Sequence, residues 1–305
     1  MREFTSPSRR IFLVFLALFL VALCLTCLVP FLHVLALSFS HKIPAMQGRV
    51  IVWPLDFDEA TRRIAVGINL KSYRFVFERP EFVRAFLISV ERIALAGLLT
   101  MFVVIVTAYP LSRSNAEFRG RTAYVWFLAL TMLVSGGLIP WYMIIRRLGM
   151  LDSIWALVVP GMAPVYSIVL LLNFYRGLPR SLAESAFLDG AGHWRILWRL
   201  YAPLSLPAIA TLTLFTVVGN WNSWFDGLIL MTRPRNYPLQ SYLQSLIAST
   251  SLQLMTRGRS ELLKQISDRT VKAAQIFIGA VPMLARYPFL QRYFIMGIVL
   301  GCVKE

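Results

Sequence analysis

Leu178 to Pro207 reads LPRSLAESAFLDGAGHWRILWRLYAPLSLP, a polar interval of about thirty residues between two strongly apolar segments. Pro179 lies just upstream of Ser181, and Glu184 follows Ser181 by three, the spacing of a capping box, so a short helix is expected over 182–188. Asp189-Gly190 should close it, because glycine enters the left-handed conformation without a steric penalty. From Gly192 a second helix would carry Trp194, Leu197, Trp198 and Tyr201 at spacings of three and four, with Arg195 and Arg199 beside them, until Pro203 and Pro207 stop it. The expected product is a helix-turn-helix elbow with an apolar ridge and a mixed-charge rim. It is too polar to lie in lipid and reads as a docking element.

The flanks decide the class. Of 305 residues 57% are hydrophobic and only 15% charged, with a mean hydropathy of +0.64, whereas soluble domains carry about 25% charged residues. The chain is therefore read as an all-α polytopic membrane protein. Six spans follow from length and absence of interior charge, at about 11–37, 86–111, 122–145, 154–173, 205–230 and 274–300, forming one membrane domain over 11–305 after a tail of residues 1–10. Arg2, Arg9 and Arg10 ahead of the run from Ile11 to about Ser38 imitate a secretory signal. That run is longer than the roughly 7–15 apolar residues of a signal and offers no small-residue cleavage site, so it reads as the first span.

Within the spans, Pro110, Pro140, Pro160, Pro164, Pro282 and Pro288 predict kinked or broken helices, which membranes tolerate where neighbours satisfy the released carbonyls. Glu91-Arg92 is expected near an interface, with the arginine snorkelling outward. The interval 38–85 is long enough for a small extramembrane lobe, and 231–273 is a second long interval. Cys24, Cys27 and Cys302 lie in or beside apolar segments and suggest packing, not a disulfide or zinc site. A net charge of +16 without an aromatic-basic module points to membrane lipid or an anionic cargo, and not to nucleic acid.

One span is chemically unusual. Asn220, Trp221, Asn222, Trp224 and Asp226 put amides, indoles and a carboxylate into a segment otherwise apolar from Ile209 to Val218. Intramembrane polar groups usually face a bundle interior or a water-filled path. Indoles stack on sugar rings while amides and carboxylates bind hydroxyls, so these five are candidates for a substrate pathway; an interfacial aromatic belt is the structural alternative. Asn222 and Asp226, four apart, would share a helical face. No G-x-x-x-x-G-K-[ST] occurs, so any nucleotide must be bound by another polypeptide. His33, His41 and His193 are scattered, and no acid-base pair or nucleophile motif is present.

Glu184, Ser185 and Ala186, then Gly190, then Leu200, Ala202 and Pro203 resemble the EAA loop of permease subunits of binding-protein-dependent ABC importers: E-A-A, three residues, G, nine residues, I-x-L-P. Ser185, Leu200 and Ala202 depart from that pattern by small or apolar exchanges. Ala108 to Arg113, Gly136 to Pro140, Trp221 to Asp226, Tyr237 to Gln240 and the tail from Gln291 to Lys304 extend the resemblance to maltose-type permeases of carbohydrate importers. Within them they look like a branch associated with polysaccharide fragments; Glu305 departs from the glycine more usual there.

The resemblance implies the type I ABC importer permease fold, six transmembrane helices with a cytoplasmic coupling helix. Glu184, Ser185, Ala186, Asp189, Gly190 and Ala191 would contact an ATPase subunit. It also implies a second homologous permease, two ATPase subunits that bind the ATP, an extracytoplasmic solute-binding protein and no cofactor of the chain's own. The location implied is the bacterial cytoplasmic (inner) membrane, multi-pass, with both termini cytoplasmic.

With the elbow inside, the outward intervals 38–85, 146–153 and 231–273 hold 17 of the 31 Lys and Arg against 8 carboxylates. That excess opposes the usual topological bias, while the short segments around Arg9-Arg10, Arg113 to Arg121 and Arg176 to Arg180 obey it. A basic outer vestibule suits an acidic oligosaccharide such as a uronate chain of the alginate type. The competing readings are an ATPase-independent secondary transporter or channel, for which the chain shows no proton relay, and a membrane-embedded glycan-processing enzyme, for which it shows no acid-base pair.

Overall fold

The computed structural model describes residues 7–58, 63–253, 269–282, 284 and 285. They fall into two compact units, Met1–Pro80 with Gln253–Val281, and Glu81–Leu252 with Pro282–Glu305.

In the first unit, α1 (Pro7–Ser38) runs for 32 residues, about 48 Å at 1.5 Å per residue, against a hydrocarbon core of about 30 Å. Its most apolar 18-residue stretch has no buried residue among the described residues, whereas Ala36 and Ser38 at its end are buried. The expected extramembrane lobe follows: α2 (Lys42–Met46), strands β1 (Leu55–Asp58) and β2 (Arg63–Val66), and α3 (Lys71–Phe77). The two strands form a short ribbon in an otherwise helical, all-α chain. They pair antiparallel, with Leu55 opposite Val66 and Phe57 opposite Ile64, so the alternate apolar residues share one face, as period-two patterning requires.

Backbone bonds from His41 to Leu55 (2.8 Å) and from Asn69 to Phe39 (2.7 Å) tie the ribbon to the end of α1. Phe39 stacks on Tyr73 with ring centroids 4.8 Å apart, and Phe277 packs against Phe31 and Phe39. The Ser72 hydroxyl donates to Thr270 Oγ1 at 3.0 Å, so the helical residues 269–281 close onto the first span's end. The remainder of the expected 274–300 span lies outside the described residues, as do Pro288, Cys302 and the tail motif.

The second unit is built on α4 (Pro80–Ser112), followed by α5 (Arg121–Leu133), α6 (Leu138–Arg147), α7 (Ile154–Val158) and α8 (Val165–Gly177). Next come α9 (Arg180–Leu188), α10 (His193–Ile196), α11 (Ala202–Leu204), α12 (Leu206–Asn222), α13 (Phe225–Leu230) and α14 (Leu239–Gln253). Met101, Val104, Ile105 and Ala108 of α4 share one buried core with Ile168, Leu171, Leu172 and Tyr175 of α8. Both sets recur at three and four, a single helical face each.

Three of the expected spans are not continuous. α5 and α6 meet at 116° and the α7 segment and α8 at 46°; a further bend of 81° separates the elbow from α12, where the expected 205–230 span starts. At 13 and 10 residues, α5 and α6 are about 20 and 15 Å long and neither crosses alone. The break falls where Gly137 takes a left-handed φ of 81° ahead of Pro140, and the second at Pro160 and Pro164, which supply no N–H to a helix. The segment expected over 205–230 ends at Asn222 and resumes at Phe225. Among the described residues, α1 from Ile11 and α4 are long and apolar enough to cross a membrane; counting each bent pair as one span brings the number to five.

Candidate functional site

The elbow forms, with differences that matter. α9 starts at Arg180, two residues earlier than expected, behind Pro179 in an extended conformation, and no side chain caps it. Ser181 is therefore inside the first turn and the Ser181-Glu184 capping box is not made. The exit is as the glycine demanded: Gly190 has φ 75°, its N–H donates to Phe187 O (3.0 Å) and that of Ala191 to Ala186 O (2.9 Å). This is the Schellman arrangement.

The second arm is not one continuous helix. α10 passes at Leu197–Tyr201 into a π-helical turn, which adds a residue to the turn and rotates the side chains that follow. The expected apolar ridge splits as a result. Ile196, Leu197 and Tyr201 are buried, whereas Trp194 is 60% exposed and packs edge-on to Trp198 at 5.9 Å.

Behind the elbow lies an aromatic knot. Tyr201 meets Tyr109 of α4 and Tyr175 of α8 edge to face, at 5.2 and 5.3 Å. The Arg113 guanidinium lies over the Tyr109 and Tyr201 rings at 4.7 and 4.9 Å and donates to the Tyr109 hydroxyl at 2.7 Å. His193 shares a 3.2 Å hydrogen bond with that same hydroxyl and packs on Phe187 at 4.9 Å. On the outer side Glu184, Ser185, Asp189 and Gly190 are exposed, with Leu188 89% exposed among them. Ala186 and Ala191 are half-buried against the core. Large apolar side chains displayed together on a polar rim mark an interaction surface.

The polar residues of the fifth segment separate into two groups. Trp221 is 2% exposed and meets Phe86 edge-on. Asp226 accepts from both terminal nitrogens of Arg92, Nη1 at 3.2 Å, together with the Ser223 hydroxyl at 2.7 Å and the Gly227 N–H at 2.9 Å. Asn220 Oδ1 accepts Arg92 Nε at 3.1 Å. Arg92 is 3% exposed, so it does not snorkel outward. It turns inward because a carboxylate and an amide on the neighbouring segment satisfy its fork, a cheaper arrangement than a lone charge in lipid. Sequence reading missed this partnership; an arginine and an aspartate in two different apolar segments was the available signal. Asn222 and Trp224 stay exposed. The helix is interrupted between Asn222 and Phe225, so Asn222 and Asp226 do not share a helical face.

The clamp meets α4 at Arg92 in its first half, and the elbow meets it near its C-terminal end. The elbow packs on Tyr109, while the Leu239 N–H donates to Ser89 Oγ at 2.8 Å; twenty residues separate those contacts, about 30 Å along a helix. A further polar knot, unforeseen from sequence, closes the turn after α6. Asp152, at φ 63°, accepts the Thr232 N–H (2.9 Å) and hydroxyl, the Arg233 N–H (3.2 Å) and the Asn236 amide.

Bent apolar helices carry an exposed elbow and, about 25 Å from it along α4, a buried polar clamp, an arrangement suited to a polytopic membrane protein that docks a partner. No family model matches the chain. It is 32% identical over 286 residues to the polygalacturonan/rhamnogalacturonan transport system permease protein YtcP of Bacillus subtilis, covering 94% of this chain and 96% of that one. To Protein LplC of the same organism it is 33% identical over 299 residues, covering 98% and 97%. Among solved structures it is similar to a chain of a bacterial ABC transporter involved in the import of the acidic polysaccharide alginate. There the TM-score is 0.84 and the identity 29%, over 96% of this chain and 99% of that chain. The chain belongs to the family of permease subunits of binding-protein-dependent ABC sugar transporters.

Proposed function

We propose that the chain is a translocation-pathway subunit of an ATP-driven oligosaccharide importer of the bacterial cytoplasmic membrane, and that its cargo is acidic. The observation that carries this reading is the elbow: an exposed apolar face resting on the Tyr109, Tyr175 and Tyr201 knot, which joins it to α4 and α8. Close-packed side chains transmit displacement instead of absorbing it. One of two ATPase subunits, seated against Glu184, Ser185, Ala186, Asp189, Gly190 and Ala191, would thus move the spans as the pair closes on ATP. A second, homologous permease completes the path, and an extracytoplasmic binding protein delivers the cargo. In this scheme Asn222 and Trp224 line the path, while Asn220, Trp221 and Asp226 form its wall with Arg92.

Two observations support an acidic cargo: the basic excess in the intervals away from the elbow, 17 Lys and Arg against 8 carboxylates, and the similarity to a transporter of an acidic polysaccharide. The test is ATPase stimulation in the reconstituted importer with its binding protein. Uronate oligomers are expected to stimulate more than neutral maltodextrins, with an advantage that shrinks as salt rises, because screening at physiological ionic strength already acts within about 8 Å. Stimulation by maltodextrins alone would rule the acidic cargo out. Purification without any ATPase subunit, together with ATP-independent uptake, would favour a secondary transporter.

A further inference from the structure

A cleft of about 780 Å³ opens beneath the elbow, between the end of α4, the start of α5 and the α8–α9 junction. Four arginines line it, Arg113, Arg121, Arg176 and Arg180. None of them is ion-paired with a carboxylate among the described residues, although Glu117 and Glu184 line the same cleft. Two are anchored from behind: Arg121 Nε donates to Leu111 O at 2.9 Å, and Arg176 reaches the same carbonyl at 3.5 Å. That is the usual duty of a basic residue at a helix C-terminus, and it leaves their other N–H groups for the cleft. Two buried polar atoms on its wall have no partner, Arg113 Nε and the Tyr175 hydroxyl, the latter on a side chain 2% exposed. Both atoms lie behind the cleft surface, so the groups left to meet a ligand are the unpaired guanidinium N–H groups.

The geometry points to a binding site for a phosphate-bearing anion in this cleft. Guanidinium groups bind phosphate through paired N–H donors, and several such groups on one cleft match its several acceptor oxygens better than a single carboxylate's two. The position also fits, because residues 112–121 and 176–180 end or begin apolar helices, the level at which lipid headgroups lie. An apolar pocket of about 310 Å³, walled by Val106, Pro110, Phe118 and Leu197, shares Arg113, Glu117 and His193 with the cleft. A phosphate carrying an apolar tail would therefore fill both. The source is either an anionic phospholipid or a free phosphate compound. Either would tie the α4–α5 connection to the base of α9 and so bear on the elbow's freedom to move.

The test uses the importer as purified in a phosphate-free maltoside detergent, as wild type, Arg180→Gln and Glu117→Gln. Native mass spectrometry counts retained phosphatidylglycerol, and equilibrium filtration measures labelled inorganic phosphate. Arg180→Gln is expected to weaken one or both by about tenfold, the loss of a charged hydrogen-bond donor. Glu117→Gln removes a like charge and should tighten binding by about fivefold, a gain that misfolding cannot produce. A change in phosphatidylglycerol retention identifies the lipid as the source; a change in phosphate alone identifies the free anion. Equal behaviour of all three proteins, or no gain with Glu117→Gln, overturns the site. Binding is read without transport, so either result leaves the carbohydrate reading untouched.

Discussion

Arg92 and Asp226 set the terms at the scale of single residues. Both are charged and largely withdrawn from solvent, at 4% and 18% side-chain exposure. Their fork-to-carboxylate pairing is reinforced by Asn220, Ser223 and Gly227. Removing one partner leaves the other charge buried without compensation, at a cost of about 3–5 kcal/mol, whereas replacing both by apolar residues costs less. Asp226→Leu is thus expected to lower the importer's melting temperature more than the Arg92→Leu/Asp226→Leu double variant does. A double-mutant cycle in which the two losses simply add would show that the pair is not coupled.

Asp152 offers a test in pH. The Thr232 hydroxyl holds its carboxyl below the ordinary carboxylate range, aided by the Arg233 and Thr232 N–H groups and the Asn236 amide against a smaller opposing effect of burial. A depressed folded-state pKa stabilises the turn above the unfolded value of about 3.9, and that stabilisation fades as pH falls through the folded value. Amide exchange at Thr232 and Arg233, corrected for intrinsic rates, should therefore accelerate below about pH 4. Asp152→Asn keeps a residue that tolerates positive φ and should flatten the pH dependence; an unchanged profile in that variant would assign the acid sensitivity elsewhere.

At the scale of elements, two glycines act differently. A Cβ on Gly227 would fall within the Ser241 hydroxyl and 2.9 Å from Pro238 Cδ, so α13 and the start of α14 approach too closely for any side chain. Gly227→Ala should cost about 1–3 kcal/mol, typical of overpacking, read as a lower melting temperature. Trimming Ser241 to alanine as well should not fully restore it, because Pro238 remains. Gly190 has nothing within 4 Å of its would-be Cβ, so substitution there meets only the strain of positive φ, about 1–2 kcal/mol. Gly190→Ala should then couple nearly normally, while Gly190→Trp inserts normally but separates ATP hydrolysis from transport by blocking the partner's seat. Full transport by Gly190→Trp would remove the elbow from the coupling path.

At the scale of the molecule, α4 serves as a ruler. Its contacts to the elbow at Tyr109 and to the start of α14 at Ser89 are about 30 Å apart, close to the thickness of a bilayer's hydrocarbon core. The elbow and the 231–239 segment should consequently face opposite sides. In a cysteine-free background, Asp189→Cys should react with an impermeant maleimide only in inverted vesicles, and Arg235→Cys only in cells or right-side-out vesicles. Reaction of both from one side would overturn this topology and the basic outer vestibule with it.

The sequence by itself determined what rests on composition and local geometry: an apolar helical membrane protein, an elbow closed by Gly190, and a family written in spaced residues from Glu184 to Pro203. Those follow from near neighbours along the chain, whose spacing alone sets periodicity, turns and motif. Only the tertiary structure decided which polar groups face each other. Arg92 turned inward because Asp226, 134 residues on, presents a carboxylate to it. The Trp194, Leu197, Trp198 and Tyr201 ridge divided at a π-turn, with Tyr201 against Tyr109 and Tyr175 and Trp194 left exposed. Contacts between residues far apart in sequence carry no periodic signature, so they become legible only once the chain has brought them together.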